Sequence, residues 1–185
     1  MSDGAAKRDV ALMARHLTSG YYSFLVAHHV AVNPQSINSL SSAHPIGEIK
    51  RKDGTVHSLD LRYYLDLLRE DQSLQRDFLR LWAMGALLTL GDELTKHRYF
   101  DQAPILELVY HLRNGIAHGN RFRIDSRGKQ RLAKHPAHNR HAAKKSPRGT
   151  LYEIVPSLTG RVLFDFIGAA DVIDLLQSVE DYLLR

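Results

Sequence analysis

Long stretches of this chain repeat apolar residues every three or four positions, and this spacing constrains the fold more than any other feature. Such a repeat places the apolar side chains on one face of an α-helix. Five stretches show it: residues 5–32, 59–70, 73–97, a stretch opened by Pro104, and residues 169–184. We therefore expect a mainly α protein, a helical bundle of about five helices with small β-hairpin insertions.

The same spacing predicts which residues each helix buries. In the third helix the expected inward residues are Phe78, Leu81, Trp82 and Leu88. Gly85 and Gly91 weaken that helix unless they allow another helix to approach closely. In the fourth helix the expected inward residues are Ile105, Leu108, Val109, Leu112 and Ile116, and Gly119 is a natural stop. The aromatic residues assigned to packing are Tyr21, Tyr22, Tyr63, Tyr64 and Trp82.

Between the helices the sequence predicts short extended segments. Asp53-Gly54 lies between two of them and is a typical hairpin turn. The alternating segments "RFRID" and "LYEIV" are expected to be strands, and "RVLFDF" is a candidate third strand. Residues 126–150 lack apolar periodicity and are expected to form a flexible basic loop within a single domain that spans residues 1–185.

Charge is distributed unevenly along the chain. Residues 111–150 carry eleven Lys or Arg against one acid, Asp125, which gives +10, so the rest of the chain sums to −5 within the total of +5. A local basic surface attracts polyanions such as RNA, although a merely solvated basic loop is an alternative. The residues expected to bind RNA are Arg121, Arg123, Arg127, Lys129, Arg131, Lys134 and Arg140.

Several classes of protein are disfavoured by what the sequence lacks. It contains no cysteine, which excludes disulfides and thiolate metal sites. Charges interrupt the N-terminal apolar residues, and no stretch reaches membrane-spanning length, so we expect a cytoplasmic protein that does not contact a membrane. There is no P-loop, Gly-rich dinucleotide turn or HExxH motif. His135, His138 and His141 recur at threes, but Pro136 and the surrounding cations argue against a metal site.

The fourth helix also carries a polar stripe. Glu107, His111, Asn114 and His118 follow one another at spacings of four, three and four, which places them along one side of the helix. For any single histidine here, an ordinary solvated helix face, with a helix-end histidine that favours the C-terminal dipole, explains the sequence better than a functional site does. The combination with the neighbouring Arg113 favours a functional site.

Arg113 and His118 enclose four residues in "RNGIAH", with the polar Asn114 directly after the arginine. This pattern, at the end of a late amphipathic helix, resembles the HEPN superfamily, whose signature is an arginine, four to six residues, and a histidine. The helical region compatible with the resemblance covers most of the chain, but the resemblance does not explain residues 120–150. It implies a homodimeric, metal-independent endoribonuclease that needs no cofactor, with both protomers contributing to a shared cleft.

The resemblance suggests a role for each residue of the motif. His118 would be the acid/base residue, Arg113 would bind the scissile phosphate, and Asn114 would orient the imidazole or contact the phosphate. His111 is an accessory candidate. A single histidine cannot easily serve as both acid and base, and a two-fold interface would bring a second copy beside it.

Family members often act as toxins or antiphage effectors, which adds an antitoxin protein to the expected partners. HEPN toxins whose antitoxin is a nucleotidyltransferase often carry a modified tyrosine two residues after the histidine, where this chain has Asn120. Two alternatives remain open. One is a non-catalytic HEPN-like dimer that binds RNA or protein; the other is a helical interaction protein whose resemblance to the family is accidental.

Overall fold

The computed structural model describes residues 3–33, 35, 46–140 and 150–185. In chain order its elements are α1 (Asp3–Val32), β1 (Ile46–Lys50), β2 (Val56–Asp60), α2 (Leu61–Glu70), α3 (Gln72–His97), α4 (Pro104–Ala117), α5 (Ser126–Lys134) and α6 (Ala169–Leu183). Short 3-10 turns lie at Phe100–Gln102, Pro156–Leu158 and Leu163–Asp165. The expected mainly α fold with a small β-hairpin is confirmed. None of the helices in these described ranges is long and apolar enough to cross a membrane.

The contacts divide the chain into two compact units, although the sequence predicts a single domain. One unit combines the chain up to Ser19 with Leu79–Arg185, and the other is Gly20–Phe78. The helices α1 and α3 each contribute residues to both units. The residues that the sequence singles out as a candidate site all belong to the first unit.

Four helices, α1, α3, α4 and α6, supply most of the apolar core of the first unit. All five apolar residues expected to face inward from α4 are buried. The inward residues of α6, Val172, Leu175, Leu176, Val179 and Leu183, are buried as well. Val10 and Ala14 of α1 are fully buried in the same core. The apolar faces of α4 and α6 are therefore confirmed.

The buried face predicted for α3 is wrong. Its buried residues are Ala83, Ala86, Leu87, Leu90, Gly91 and Leu94, which follow a regular helical period. Phe78 and Leu81 are exposed, and Trp82 and Leu88 are only partly buried. The helix carries apolar residues around most of its circumference, so the choice of the bulkiest side chains selects the wrong face. The face that is buried combines three leucines with Ala83, Ala86 and Gly91, small residues that allow close packing.

Gly91 and Gly85 differ in their surroundings. A Cβ atom at position 91 would lie 2.6 Å from Cγ of Arg113, so the glycine allows α4 to approach α3 closely, as the sequence suggests. Position 85 has no neighbouring atom within 4 Å among the described residues. Close approach therefore explains Gly91 but not Gly85.

The strands predicted after α4 are not formed. In the described part of this region only isolated bridges occur, Arg121 with Val162 and His138 with Glu153. The alternation in "RFRID" instead reflects burial of Phe122 and Ile124 from an extended segment that packs one side against the core. The third expected strand contains the 3-10 turn Leu163–Asp165. One-sided burial produces alternation without a hydrogen-bonded ladder.

Part of the expected basic loop is a helix. Residues 126–134 form α5, and the Asp125 carboxylate caps it by accepting a hydrogen bond from the Gly128 N–H at 2.9 Å. An ion pair from Arg131 to Glu107 of α4 fixes the helix, and a polar contact of this kind leaves no apolar period in the sequence. Residues 141–149 of the predicted loop lie outside the described residues.

The second unit contains the predicted hairpin. β1 and β2 pair antiparallel with Gly47 opposite Leu59, and the turn between them contains Gly54 at a φ of +85°, a conformation that favours glycine. Phe24 and Phe78 stack with ring centroids 4.1 Å apart. Packing explains Tyr21, which is buried, but Tyr22, Tyr63 and Tyr64 are about half exposed, so packing within the chain accounts for them only in part.

Candidate functional site

The polar stripe of α4 reaches the surface at the end of the helix. Pro104 occupies the first turn, where its missing N–H costs nothing, and His118 forms the C-cap, its N–H bonded to the Asn114 carbonyl at 3.1 Å. Gly119 and Asn120 then adopt φ values of +83° and +60°. These left-handed residues reverse the chain directly after the exposed His118.

The reversed chain forms a second wall beside α4. The Arg121 N–H donates to the Gly115 carbonyl at 3.0 Å, which draws the returning segment back along the helix. Phe122 and Ile124 are buried, so their apolar side chains fix this segment against the core. Helix α5 begins directly after its N-cap residue, Asp125, and extends this second wall.

A cavity of about 570 Å³ lies between this wall and the polar stripe. From α4 it is lined by Tyr110, His111, Asn114, Gly115 and His118. From the returning segment and α5 it is lined by Phe122, Arg123, Ile124, Asp125, Arg127, Gly128 and Arg131. The cavity therefore brings together three of the four stripe residues and three of the arginines expected to bind RNA.

The fourth stripe residue, Glu107, supports the cavity from inside the protein. Its side chain is only 1% exposed, and Arg131 pairs with both carboxylate oxygens, through Nε to Oε1 and through Nη2 to Oε2 at 2.8 Å. The Arg131 guanidinium also lies over the Tyr110 ring, 4.2 Å from its centroid. Most of the Arg131 guanidinium is thus engaged by Glu107 and Tyr110, although the residue also lines the cavity, and its role in binding RNA stays a prediction.

His111 is buried in the wall of the cavity. Its Nε2 lies 3.6 Å from Oε1 of Glu107, too far for a good hydrogen bond, and no described residue gives this atom a partner. Burial, together with the nearby Arg131 charge, lowers the pKa of His111 from 6.5 to about 4. The Glu107 carboxylate does not offset this effect because Arg131 already neutralises it. The imidazole is therefore neutral at physiological pH.

Arg113 lies outside the set of described residues that line the cavity. Its Nε and Nη2 both donate to Oδ1 of Asp92 on α3, at 3.0 and 2.7 Å. Its Nη1 lies 3.4 Å from Oδ1 of Asn114, which does line the cavity. Asn114 is therefore the residue that connects the predicted arginine to the cavity and to His118. Nothing in the sequence indicated Asp92.

The remaining predicted RNA-binding residues lie in different surroundings. Arg123 and Arg127 are exposed cavity residues, and no hydrogen bond or ion pair joins their guanidinium groups to any described residue. Arg121 donates to the Gly160 carbonyl at 2.8 Å, and Arg140 pairs with Glu153. Lys129 and Lys134 are exposed on α5. Of the arginines that line the cavity, Arg123 and Arg127 are thus the ones whose guanidinium groups no other described residue binds.

The part of the chain that the structure describes contains no set of side chains placed to bind a metal ion. No group of three His, Asp or Glu side chains there is placed to hold a metal ion. His138 contributes a backbone bridge to Glu153, and His141 of the weighed histidine series lies outside the described residues. The cavity contains an exposed imidazole, an amide and two guanidinium groups with no hydrogen bond to another described residue, beside the Asp125 carboxylate, whose pKa is lowered by backbone hydrogen bonds and by the charges of Arg123 and Arg127. The cationic groups outnumber this carboxylate, so together they suit an anion that undergoes proton transfer.

The fold and the cavity together describe a mainly helical protein with a cationic pocket at the exposed end of a polar helix stripe. No protein-family model matches the chain, and neither the curated proteins nor the solved structures include a significant match. Evidence about function therefore comes from the residues of the cavity and from the "RNGIAH" pattern.

Proposed function

We propose that this protein is a metal-independent endoribonuclease of the HEPN type. The observation that carries the proposal is the position of His118, exposed at the end of α4 in a cavity that it shares with Asn114 and the exposed Arg123 and Arg127. A phosphodiester is the anion that such a set of groups suits, because guanidinium groups bind its oxygens in pairs.

The chemistry needs two proton transfers and a cation. A base takes the proton of the 2′-hydroxyl as this oxygen attacks phosphorus, and an acid protonates the departing 5′-oxygen, which leaves a 2′,3′-cyclic phosphate and a 5′-hydroxyl. Imidazole can perform either proton transfer near neutral pH. Arginine stabilises the charge that develops on the phosphorane. His118 is assigned the proton transfer, and Arg113 the phosphate charge.

Asn114 supports the assignment of Arg113. Its amide oxygen contacts the Arg113 guanidinium, while its side chain lines the cavity beside His118. A phosphate bound at Asn114 would therefore lie beside a residue that contacts Arg113 and that shares the cavity with His118. The buried, neutral His111 is assigned an accessory role in the cavity wall.

A second copy of the chain would complete the catalytic groups. Since each chain offers one exposed His118, an acid and a base acting in the same turnover are most simply supplied by two protomers at a two-fold interface. We therefore propose a homodimer as the active form. The proposed role as a toxin or antiphage effector, with an antitoxin partner, and the cytoplasmic location rest on the resemblance and on the sequence alone.

One observation favours a second candidate, a non-catalytic RNA-binding protein. Arg113 is paired with Asp92 outside the cavity, so within one chain the two residues of the motif do not line the same pocket. RNA would then be held electrostatically by Arg123, Arg127 and the exposed lysines of α5, with affinity that falls steeply as salt rises.

The two candidates are separated by incubating wild type, His118→Ala and Arg113→Ala with mixed RNA in EDTA and analysing the fragment ends. The endoribonuclease predicts 2′,3′-cyclic phosphate ends from wild type and a large loss of cleavage, down to a low residual rate, in both variants. His16→Ala, a change at an exposed histidine outside the cavity, is the control and should cut like wild type. RNA that is bound in low salt but never cut favours the binding protein.

A further inference from the structure

The side chain of Arg113 is held along its whole length by one turn of α3. Its Cβ and Cγ atoms lie so close to Gly91 that a Cβ atom there would be 2.9 and 2.6 Å from them. Farther along the side chain, Nε and Nη2 donate to the carboxylate of the next residue, Asp92. Adjacent residues of one helix therefore fix both the stem and the guanidinium group.

The contact with Asp92 leaves one edge of the guanidinium unused. Of the five N–H groups on an arginine, Asp92 accepts the Nε–H and one from Nη2, and Asn114 lies beside Nη1 at 3.4 Å. Among the described residues no further acceptor contacts this group, so Nη1 and Nη2, the two nitrogens at the end of the guanidinium fork, each keep one N–H for a ligand. This edge has the geometry that binds two phosphate oxygens.

The pair is accessible to a ligand. The Arg113 side chain is 32% exposed and that of Asp92 is 63% exposed. An ion pair as exposed as this one contributes little to folding stability, so stability gives little reason for its geometry. An arginine whose orientation is set before a phosphate arrives loses less conformational freedom on binding than one on a mobile side chain.

We propose that Asp92 is a positioning residue that orients Arg113 for the scissile phosphate. Its carboxylate accepts hydrogen bonds from Nε and Nη2 of the guanidinium group. The remaining nitrogen, Nη1, contacts Asn114, which lines the cavity that contains His118. The inference rests on the proposed endoribonuclease function and extends it to a residue on α3 that does not touch the RNA.

The test compares kcat and KM for RNA cleavage in EDTA among wild type, Asp92→Ala, Asp92→Asn, Arg113→Ala and the Asp92→Ala/Arg113→Ala double variant. We expect Asp92→Ala to lower kcat by about tenfold to a hundredfold, with a smaller change in KM, because the arginine loses its orientation. Asp92→Asn keeps an oxygen acceptor and should recover part of the rate. The double variant should be no slower than Arg113→Ala, since Asp92 acts through Arg113.

Glu93→Gln is the matched control. Glu93 follows Asp92 on α3 but pairs with Lys96 and His97, so its loss should leave kcat near the wild-type value. The inference is overturned if Asp92→Ala cuts as fast as wild type or faster. It is also overturned if Asp92→Ala slows the Arg113→Ala chain by the same factor as it slows wild type.

A binding measurement separates this inference from the proposed function. RNA with 2′-O-methyl groups cannot be cut by attack of the 2′-oxygen, so its affinity reports the orientation of Arg113 without turnover. Asp92→Ala should weaken binding only in chains that retain Arg113. If wild type never cuts RNA but this dependence is found, the proposed function fails and the role of Asp92 in orienting Arg113 stands. If wild type cuts but Asp92→Ala weakens binding equally in both backgrounds, only the role of Asp92 fails.

Discussion

Glu107 and Arg131 form an ion pair across the base of the cavity, and the two partners differ greatly in exposure. The Glu107 side chain is 1% exposed, whereas that of Arg131 is 32% exposed. The carboxylate accepts hydrogen bonds on both oxygens from this single arginine. The pair thereby joins α4 to α5 and fixes the wall that carries Arg127.

We expect Arg131→Met to destabilise the protein by about 3 kcal/mol, because it leaves the Glu107 carboxylate buried without its partner. The double variant Glu107→Met/Arg131→Met should recover much of this loss, since it removes the buried charge. Urea denaturation checks both changes. Arg140→Met breaks an ion pair whose side chains are 53% and 43% exposed, and it should cost less than about 1 kcal/mol. Equal losses in Arg131→Met and Arg140→Met would show that burial of Glu107 has no energetic consequence.

The low pKa of His111 predicts a particular pH dependence of stability. As pH falls, the unfolded chain protonates this imidazole near pH 6.5, but the folded chain does so only near pH 4. Between these values the unfolded state binds more protons, so acidification lowers the free energy of unfolding, by about 3 kcal/mol in total. Denaturation of wild type and His111→Leu from pH 4 to 7 measures the difference. We expect a shallower pH slope in the variant, and identical slopes would contradict the low pKa.

The two glycines of α3 form a matched pair for substitution. Gly85→Ala adds a methyl group where no described atom lies within 4 Å, so it should stabilise the helix by about 0.5–1 kcal/mol. Gly91→Ala gains the same helix propensity but forces its methyl group against Arg113, and overpacking of this kind costs about 1–3 kcal/mol. Thermal denaturation should therefore show opposite signs. A stabilised Gly91→Ala variant would contradict the close approach.

The helices were the most predictable part of this protein. Their periodicity is a local property of the chain, and Pro104 and Gly119 mark the two ends of α4. The face of α3 was less predictable, since apolar residues surround that helix and only its packing partners decide which side is buried. The expected strands failed because Phe122 and Ile124 alternate inward without pairing to a neighbouring strand.

The candidate site was predictable only in part. The stripe from Glu107 to His118 was visible in the sequence because its members share one helix. The sequence did not predict the burial of these residues. Glu107 and His111 are buried, although a solvated helix face is the alternative interpretation of the stripe. The sequence predicts a flexible loop where α5 lies. This helix forms one wall of the cavity, and it is stabilised by the Asp125 cap and by the ion pair from Arg131 to Glu107.

The sequence by itself determined where the described helices other than α5 lie, which face of α4 is apolar, and which polar residues share its other side, because these properties depend on neighbours three or four positions away. The tertiary structure alone decided that Arg131 pairs with Glu107 and that Asp92 pairs with Arg113, contacts that span 24 and 21 positions. Pairs so distant leave no periodic signal in a sequence. They depend on how separate helices pack, and here they determine which arginines a phosphate could reach.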